Sequence, residues 1–198
     1  AEVVVCPTDV EPADPRSYYS VAEELAGRPG HYRPDQYSNP ANPAAHEVST
    51  GPEIWRQTDG QVGVLVVGVG TGGTITGTAR ALKERNPAVH VVGVDPVGSI
   101  YTAADESGVH PYLTEGVGED FWPGAFDPAV VDEYERVSDG EAFAMTRRVV
   151  REEGLLVGRG PGRARRIELP KGLAAPALRV GILPYEGLNR RLDYLVDL

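Results

Sequence analysis

The sequence predicts an α/β fold with a mainly parallel sheet. Two continuous apolar runs carry that prediction, Val62 to Val69 (VGVLVVGV) and Val89 to Val94 (VHVVGV), together with the helix-type segment Thr74 to Arg85 between them. Uninterrupted β-branched runs mark strands covered on both faces, as in parallel sheets flanked by helices. Strand, helix and strand in succession form a βαβ unit with a right-handed crossover. Asn86-Pro87 ends the helix, because proline cannot continue it.

The remaining elements follow in chain order. Val3 to Val5 is a short β-branched run expected as a strand, and Tyr18 to Ala26 has helical spacing. Residues 27–52 are punctuated by Pro, Gly, Asn and Ser and read as a long ordered loop; loops of that length in compact domains are usually functional. Gly51 to Gln57 opens a short helix, with Pro52 at a permitted first-turn position. Ser138 and Glu141 form a capping box ahead of Ala142, Phe143, Met145, Val149 and Val150, and Gly154 supplies the stop. Leu155 to Val157 and Val180 to Leu183 are short strand candidates.

Composition bounds the function. Hydrophobic residues make up 41% of the 198 and charged residues 24%, ordinary values for a folded globular chain. The net charge of -10 disfavours nucleic-acid and anionic-membrane surfaces as partners. The single cysteine, Cys6, excludes an internal disulfide and suits a reducing, cytoplasmic setting. The opening AEVVVCPTDVEP has neither a basic segment nor an apolar core of a signal peptide, and its start within a strand-like run without Met leads us to expect a fragment or processed product. Charge also divides the chain: residues 1–158 carry 11 of the 19 basic and 25 of the 29 acidic side chains, so residues 159–198 form a basic tail beginning at GRGPGRARR.

Between the first buried strand and its helix lies Gly68-Val69-Gly70-Thr71-Gly72-Gly73-Thr74. Glycines let the backbone turn sharply so that several N–H groups face one anion, and the helix N-terminus adds about half a unit of positive charge. Thr71 and Thr74 add hydroxyl donors. Hydrogen bonds to a charged group contribute roughly 1.5–3 kcal/mol each, enough in combination to hold one phosphate. A bare strand-to-helix turn is the structural alternative. Gly68, Gly70 and Gly73 also match G-x-G-x-x-G, with Asp95 22 residues beyond Gly73 as a ribose partner, which is the nicotinamide-dinucleotide alternative. Against it, Asp95 falls in the turn-like Asp95-Pro96-Val97-Gly98-Ser99, and the alternating hydroxyl and glycine residues suit a monophosphate.

Six stretches occur in order: DQYSNPANP (35–43), TGPEIW (50–55), GVGTGGTITG (68–77), GVDPVGS (93–99), EGVG (115–118) and EEGLLVG (152–158). Together they resemble the pyridoxal-phosphate enzymes cystathionine β-synthase and cysteine synthase, over about residues 1–158. Tyr37 after Gln36, and Asp120-Phe121 after the Gly-Val-Gly turn, are more similar to cystathionine β-synthase, the bacterial form in particular. The resemblance implies a three-layer, tryptophan synthase β-like fold (PLP fold type II), incomplete in this chain. It divides the chain into residues 1–50, a remnant of the cofactor-lysine domain with a mobile loop, residues 51–158, the phosphate-binding α/β domain, and residues 159–198, a divergent basic tail.

The same resemblance implies pyridoxal 5'-phosphate as cofactor, with Gly70, Thr71, Gly72, Gly73 and Thr74 on its phosphate. Gln36 and Tyr37 match positions lining the substrate side, for which a packed loop is the structural alternative. Gly116 and Gly118 match the turn closing on the amino acid. The implied chemistry is β-replacement in sulfur amino-acid biosynthesis, serine plus homocysteine giving cystathionine. The partners are small amino-acid substrates and, in a complete protein, a second copy in a homodimer. Cysteine synthase chemistry (O-acetylserine plus sulfide) and a non-catalytic phosphate-binding remnant are the alternatives.

Two departures bear on activity. The chain has two lysines, Lys83 and Lys171, and neither matches the family's Schiff-base lysine, so no catalytic residue is assigned. After GLLVG the family places a serine beside the pyridine nitrogen, whereas here Arg159-Gly160-Pro161-Gly162 follows. The isolated chain is therefore expected to be inactive. The tail RARRIELP (163–170) also breaks with proline where the family continues a helix.

Overall fold

The computed structural model describes residues 2–7, 10–155 and the backbone of 178–182. The chain divides into two compact units, Ala1–Asp35 and Gln36–Leu198. In the first, α1 (Tyr18–Ala26) begins at Ser17, whose hydroxyl accepts from the Ser20 N–H. Arg28–Glu24 and Arg33–Glu23 ion pairs brace it. Val3 to Val5, expected as a strand, is extended but unpaired: Val3 and Val5 are 81% and 90% exposed, and no strand among the described residues lies alongside. A β-branched run without a neighbouring ladder leaves its backbone to water.

In the second unit the elements are α2 (Ala41–Val48), α3 (Thr50–Gln57), β1 (Val62–Gly68), α4 (Gly73–Arg85), β2 (His90–Pro96), β3 (Glu133–Val137), α5 (Asp139–Glu153) and β4 (Leu178–Ile182). The four strands form one sheet in the order β3-β2-β1-β4, every pair parallel. Thus α/β class and a parallel sheet are observed as expected, and β1, α4, β2, α5 and the Val180 strand stand within one or two residues of their predicted bounds.

Side-chain alternation along the strands separates two cores. Leu65 and Val67 of β1 join Val91, Ile75, Ala79 and Leu82 of β2 and α4, with Ile54 of α3, in the larger core. Val66 turns the other way, toward Val94, Val137 and Ala142 of β2, β3 and α5. Helices therefore cover both faces, giving three layers. The capping box is present, Ser138 receiving the Glu141 N–H while Glu141 returns to the Ser138 N–H, and Gly154 ends α5 at φ 68°.

Three further expectations are corrected. Residues 27–52 are not one long loop, because 41–48 form α2 and α3 starts at Thr50. Pro43 is buried in this helix, and Gly77 of α4 lies so close that a side chain there would strike the Pro43 carbonyl. Tertiary packing on α4 makes a helix of a segment whose local composition signals a loop. Asp95 and Pro96 belong to β2 rather than to a turn. Leu155 is not in a strand, and the rest of that candidate (156–157) lies outside the described residues. The strand β3 was not predicted: EYERV is largely polar, and pairing with β2 holds it in place.

Candidate functional site

The glycine loop lies at the C-terminal end of β1, between that strand and α4. Parallel sheets place ligands at this edge, since strand ends and helix N-termini converge there. Gly72, at φ 80°, starts α4 without any side-chain cap. A side chain at position 72 would also collide with the ring of Phe126. Among the described residues, none of the N–H groups from Thr71 to Ile75 has an acceptor. An uncapped helix end with its first amides open is suited to an anion.

Elements around the loop hold it open. Tyr101, 6% exposed, donates its hydroxyl to the Gly70 carbonyl at 2.6 Å. Burial pushes the Tyr101 hydroxyl well above its ordinary pKa, so it stays a donor. The Gly118 N–H donates to the Val69 carbonyl at 2.6 Å, and a Cβ on Gly70 would sit 3.1 Å from the Gly116 carbonyl. The turn Gly116 to Gly118 therefore lies directly against the loop. Asp139, the first residue of α5, accepts from the Leu113 and Thr114 N–H groups and from the Thr114 hydroxyl at 2.7–2.9 Å, tying residues 113–114 to the start of that helix. Burial opposes the Asp139 charge, but these donors hold its carboxyl below the usual range.

Gln36 and Tyr37 reach the same place from the other side. The Asn42 side-chain amide donates to the Gln36 carbonyl at 2.8 Å and to Thr71 Oγ1 at 3.2 Å. Tyr37 accepts the Ala125 N–H through its carbonyl at 2.8 Å, and its ring lies 5.3 Å from that of Phe121. The Gly116–Gly118 turn thus lies against the Gly70–Thr74 loop, Gln36 is linked to it through Asn42, and Tyr37 contacts Ala125 and Phe121.

Sequence reasoning missed Asn42, His46 and Tyr101. His46 bridges two hydroxyls, with Nδ1 2.9 Å from Thr50 Oγ1 and Nε2 3.2 Å from Thr74 Oγ1. Burial lowers its pKa, keeping the ring neutral. Asn42 and His46 are separated by four residues, the spacing that puts two side chains on one helix face; only recognition of α2 would have revealed it.

Asp95 stands next to the glycine loop, since Gly68 pairs with Val94 and the Val69 N–H donates to the Val94 carbonyl, but its burial counts against the dinucleotide alternative. Asp95 is 0% exposed, and its Oδ2 accepts the Thr102 hydroxyl at 2.8 Å. Burial raises its pKa to about 6. A carboxylate enclosed in this way offers nothing to a ribose at the surface. Lys83 Nζ lies 2.8 Å from Asp132, about three turns along α4 from the loop, roughly 15 Å at 1.5 Å per residue. Lys171 and the Arg159–Gly162 turn lie outside the described residues. No cluster of His, Cys, Asp or Glu among the described residues could hold a metal, and no helix there is long and apolar enough to cross a membrane.

The residues present fit the phosphate of a bound cofactor: open amides and two threonine hydroxyls, on a loop whose glycines are required by the close approach of Phe126 and Asn42. Comparison with known proteins agrees. A family model described as pyridoxal-phosphate dependent enzyme matches residues 1–164. The cystathionine beta-synthase of Apis mellifera is 38% identical over 202 residues, covering 100% of this chain and 40% of that protein. That of Oryctolagus cuniculus is 41% identical over 206 residues, covering 100% and 37%. Among solved structures, an O-acetylserine dependent cystathionine beta-synthase from Helicobacter pylori superposes with a TM-score of 0.63 at 41% identity, over 69% of this chain and 44% of that one. The chain spans about two fifths of the length of the curated relatives it matches.

Proposed function

Because the chain belongs to the pyridoxal-phosphate-dependent enzymes, with cystathionine β-synthases among its relatives, we propose that it forms the phosphate-holding part of a β-replacement enzyme. The proposed reaction joins serine and homocysteine to give cystathionine, and the isolated chain does not turn it over. The observation that carries this reading is the uncapped start of α4, with five successive amides that have no acceptor among the described residues and Thr71 and Thr74 beside them.

When bound, the cofactor supplies an electron sink for bond changes at the α- and β-carbons of an amino acid. The residues of the chain do the rest of the binding. Amides from Thr71 to Ile75 and the hydroxyls of Thr71 and Thr74 donate to the phosphate oxygens. Tyr101 fixes the Gly70 carbonyl so that the amides beyond it stay turned toward the anion. The Gly116–Gly118 turn, braced by Asp139, and the Tyr37–Phe121 pair border the space left for the amino acid and restrict water there. A proton at the amino-acid α-carbon needs a lysine acceptor, and Lys83 is engaged with Asp132 on the far part of α4. Neither Lys83 nor Lys171 matches the family's Schiff-base lysine in the sequence, and the proposed inactivity of the isolated chain rests on that.

O-acetylserine replaces serine as the second reading, supported by the description of the Helicobacter pylori relative as O-acetylserine dependent. The test is a product assay with homocysteine and either serine or O-acetylserine. The chain alone, given pyridoxal 5'-phosphate, should form no cystathionine. Joined to the lysine-bearing N-terminal segment of a relative, it should form it, and the faster β-donor identifies the substrate. No product from the joined protein, with the cofactor bound, would overturn the reading.

A further inference from the structure

We propose that α2 sets the hydrogen-bond polarity of the socket: Asn42 and His46 donate to Thr71 and Thr74, leaving both threonine hydrogens for an acceptor-only oxyanion. This rests on the socket being a phosphate site, and assigns Asn42 and His46 as positioning residues for it.

The direction of each bond can be worked out from its neighbours. A backbone carbonyl only accepts, so the contact with Gln36 at 2.8 Å orients the Asn42 amide with its NH2 toward the loop. Its second hydrogen goes to Thr71 Oγ1 at 3.2 Å. A hydroxyl that has accepted there still owns one hydrogen to give.

For His46 the deciding partner is Thr50, 8% exposed, whose hydroxyl has no recorded contact among the described residues other than His46 Nδ1. If Thr50 donates to Nδ1, the ring hydrogen sits on Nε2 and points at Thr74 Oγ1 at 3.2 Å, and the Thr74 hydrogen is free. The opposite tautomer strands the Thr50 hydrogen in a buried place and spends that of Thr74 on the ring. Buried polar hydrogens are rarely left without acceptors, so the first arrangement prevails. Desolvation keeps the ring neutral, with a single hydrogen to place.

Both threonines are thus polarised in the same sense by one helix face. Both threonine hydroxyls are then left with a hydrogen to give, which suits a phosphate dianion.

The tautomer is read directly from nitrogen–proton NMR of the imidazoles in the full chain without ligand. The His46→Gln spectrum identifies the signal among the four histidines. The expected result is a protonated Nε2 and a bare Nδ1. Equilibrium dialysis against pyridoxal 5'-phosphate and inorganic phosphate gives the second readout. His46→Met should weaken retention about tenfold, the loss expected for one charge-directed hydrogen bond, and His46→Gln, which keeps a donor facing Thr74, should restore most of it. An Nδ1–H tautomer with ligand still retained overturns this proposal alone. A wild-type chain that retains neither ligand overturns it together with the phosphate reading of the socket.

Discussion

The Tyr101 hydroxyl and the Gly70 carbonyl, 31 residues apart, meet at 2.6 Å and fix the first peptide of the glycine loop. Tyr101 in turn packs edge-on against Phe126, whose ring occupies the space a side chain on Gly72 would need. Loop conformation is therefore set by the aromatic cluster behind it. Tyr101→Phe keeps the ring and leaves the Gly70 carbonyl without its donor. It should cost about 1–3 kcal/mol in urea unfolding and weaken pyridoxal-phosphate retention.

Gly72→Ala tests the left-handed backbone at the start of α4. A non-glycine residue at φ 80° costs roughly 1–2 kcal/mol, and contact with Phe126 adds to that. Retention of the cofactor should fall more steeply than stability, because the socket amides reorient while the sheet stays intact. Dialysis and thermal unfolding on the same sample separate the two effects.

Asp95 gives the fold a pH dependence. Its folded pKa is raised to about 6 by burial, so the native state binds the proton more tightly than the unfolded chain. Its contribution is favourable at acid pH and is lost as pH rises from about 4 through about 6, a change on the order of 2–3 kcal/mol at 1.36 kcal/mol per unit. Asp95→Asn, which mimics the neutral form, should flatten the profile of unfolding midpoint between pH 4.5 and 8. A variant as steep as the wild type would show that another group titrates there.

Lys83→Ala should leave cofactor retention unchanged. Lys83 pairs with Asp132 at the rim of α4, an interaction worth about 0.2–1 kcal/mol for partly exposed ions. Borohydride trapping with pyridoxal 5'-phosphate, followed by peptide mapping, should find no label at Lys83. Stoichiometric label there would contradict its structural role.

Much of the second unit was legible because β1 and β2 are apolar without interruption and α4 ends at Asn86-Pro87. The capping box made α5 equally plain. The residue types of the glycine loop pointed to a phosphate ligand, and the uncapped start of α4 is the structural feature that the proposed site rests on. α2 was hidden because Pro40, Asn42 and Pro43 signal a turn locally, and only packing against Gly77 makes the segment helical. With α2 unread, the Asn42–His46 face could not be seen. β3 escaped for a related reason: four polar or aromatic residues show no buried run, and the strand exists through its ladder with β2. Tyr101 lies far along the chain from Gly70, and nothing local links the two.

The phosphate ester itself is the most direct probe of the socket. Equilibrium dialysis of the full chain against pyridoxal 5'-phosphate and, separately, against pyridoxal should show retention of the phosphorylated compound only, abolished in the Thr71→Val, Thr74→Val double variant. Equal retention of both compounds, or undiminished retention by the double variant, would contradict the assignment of the glycine loop as the phosphate site.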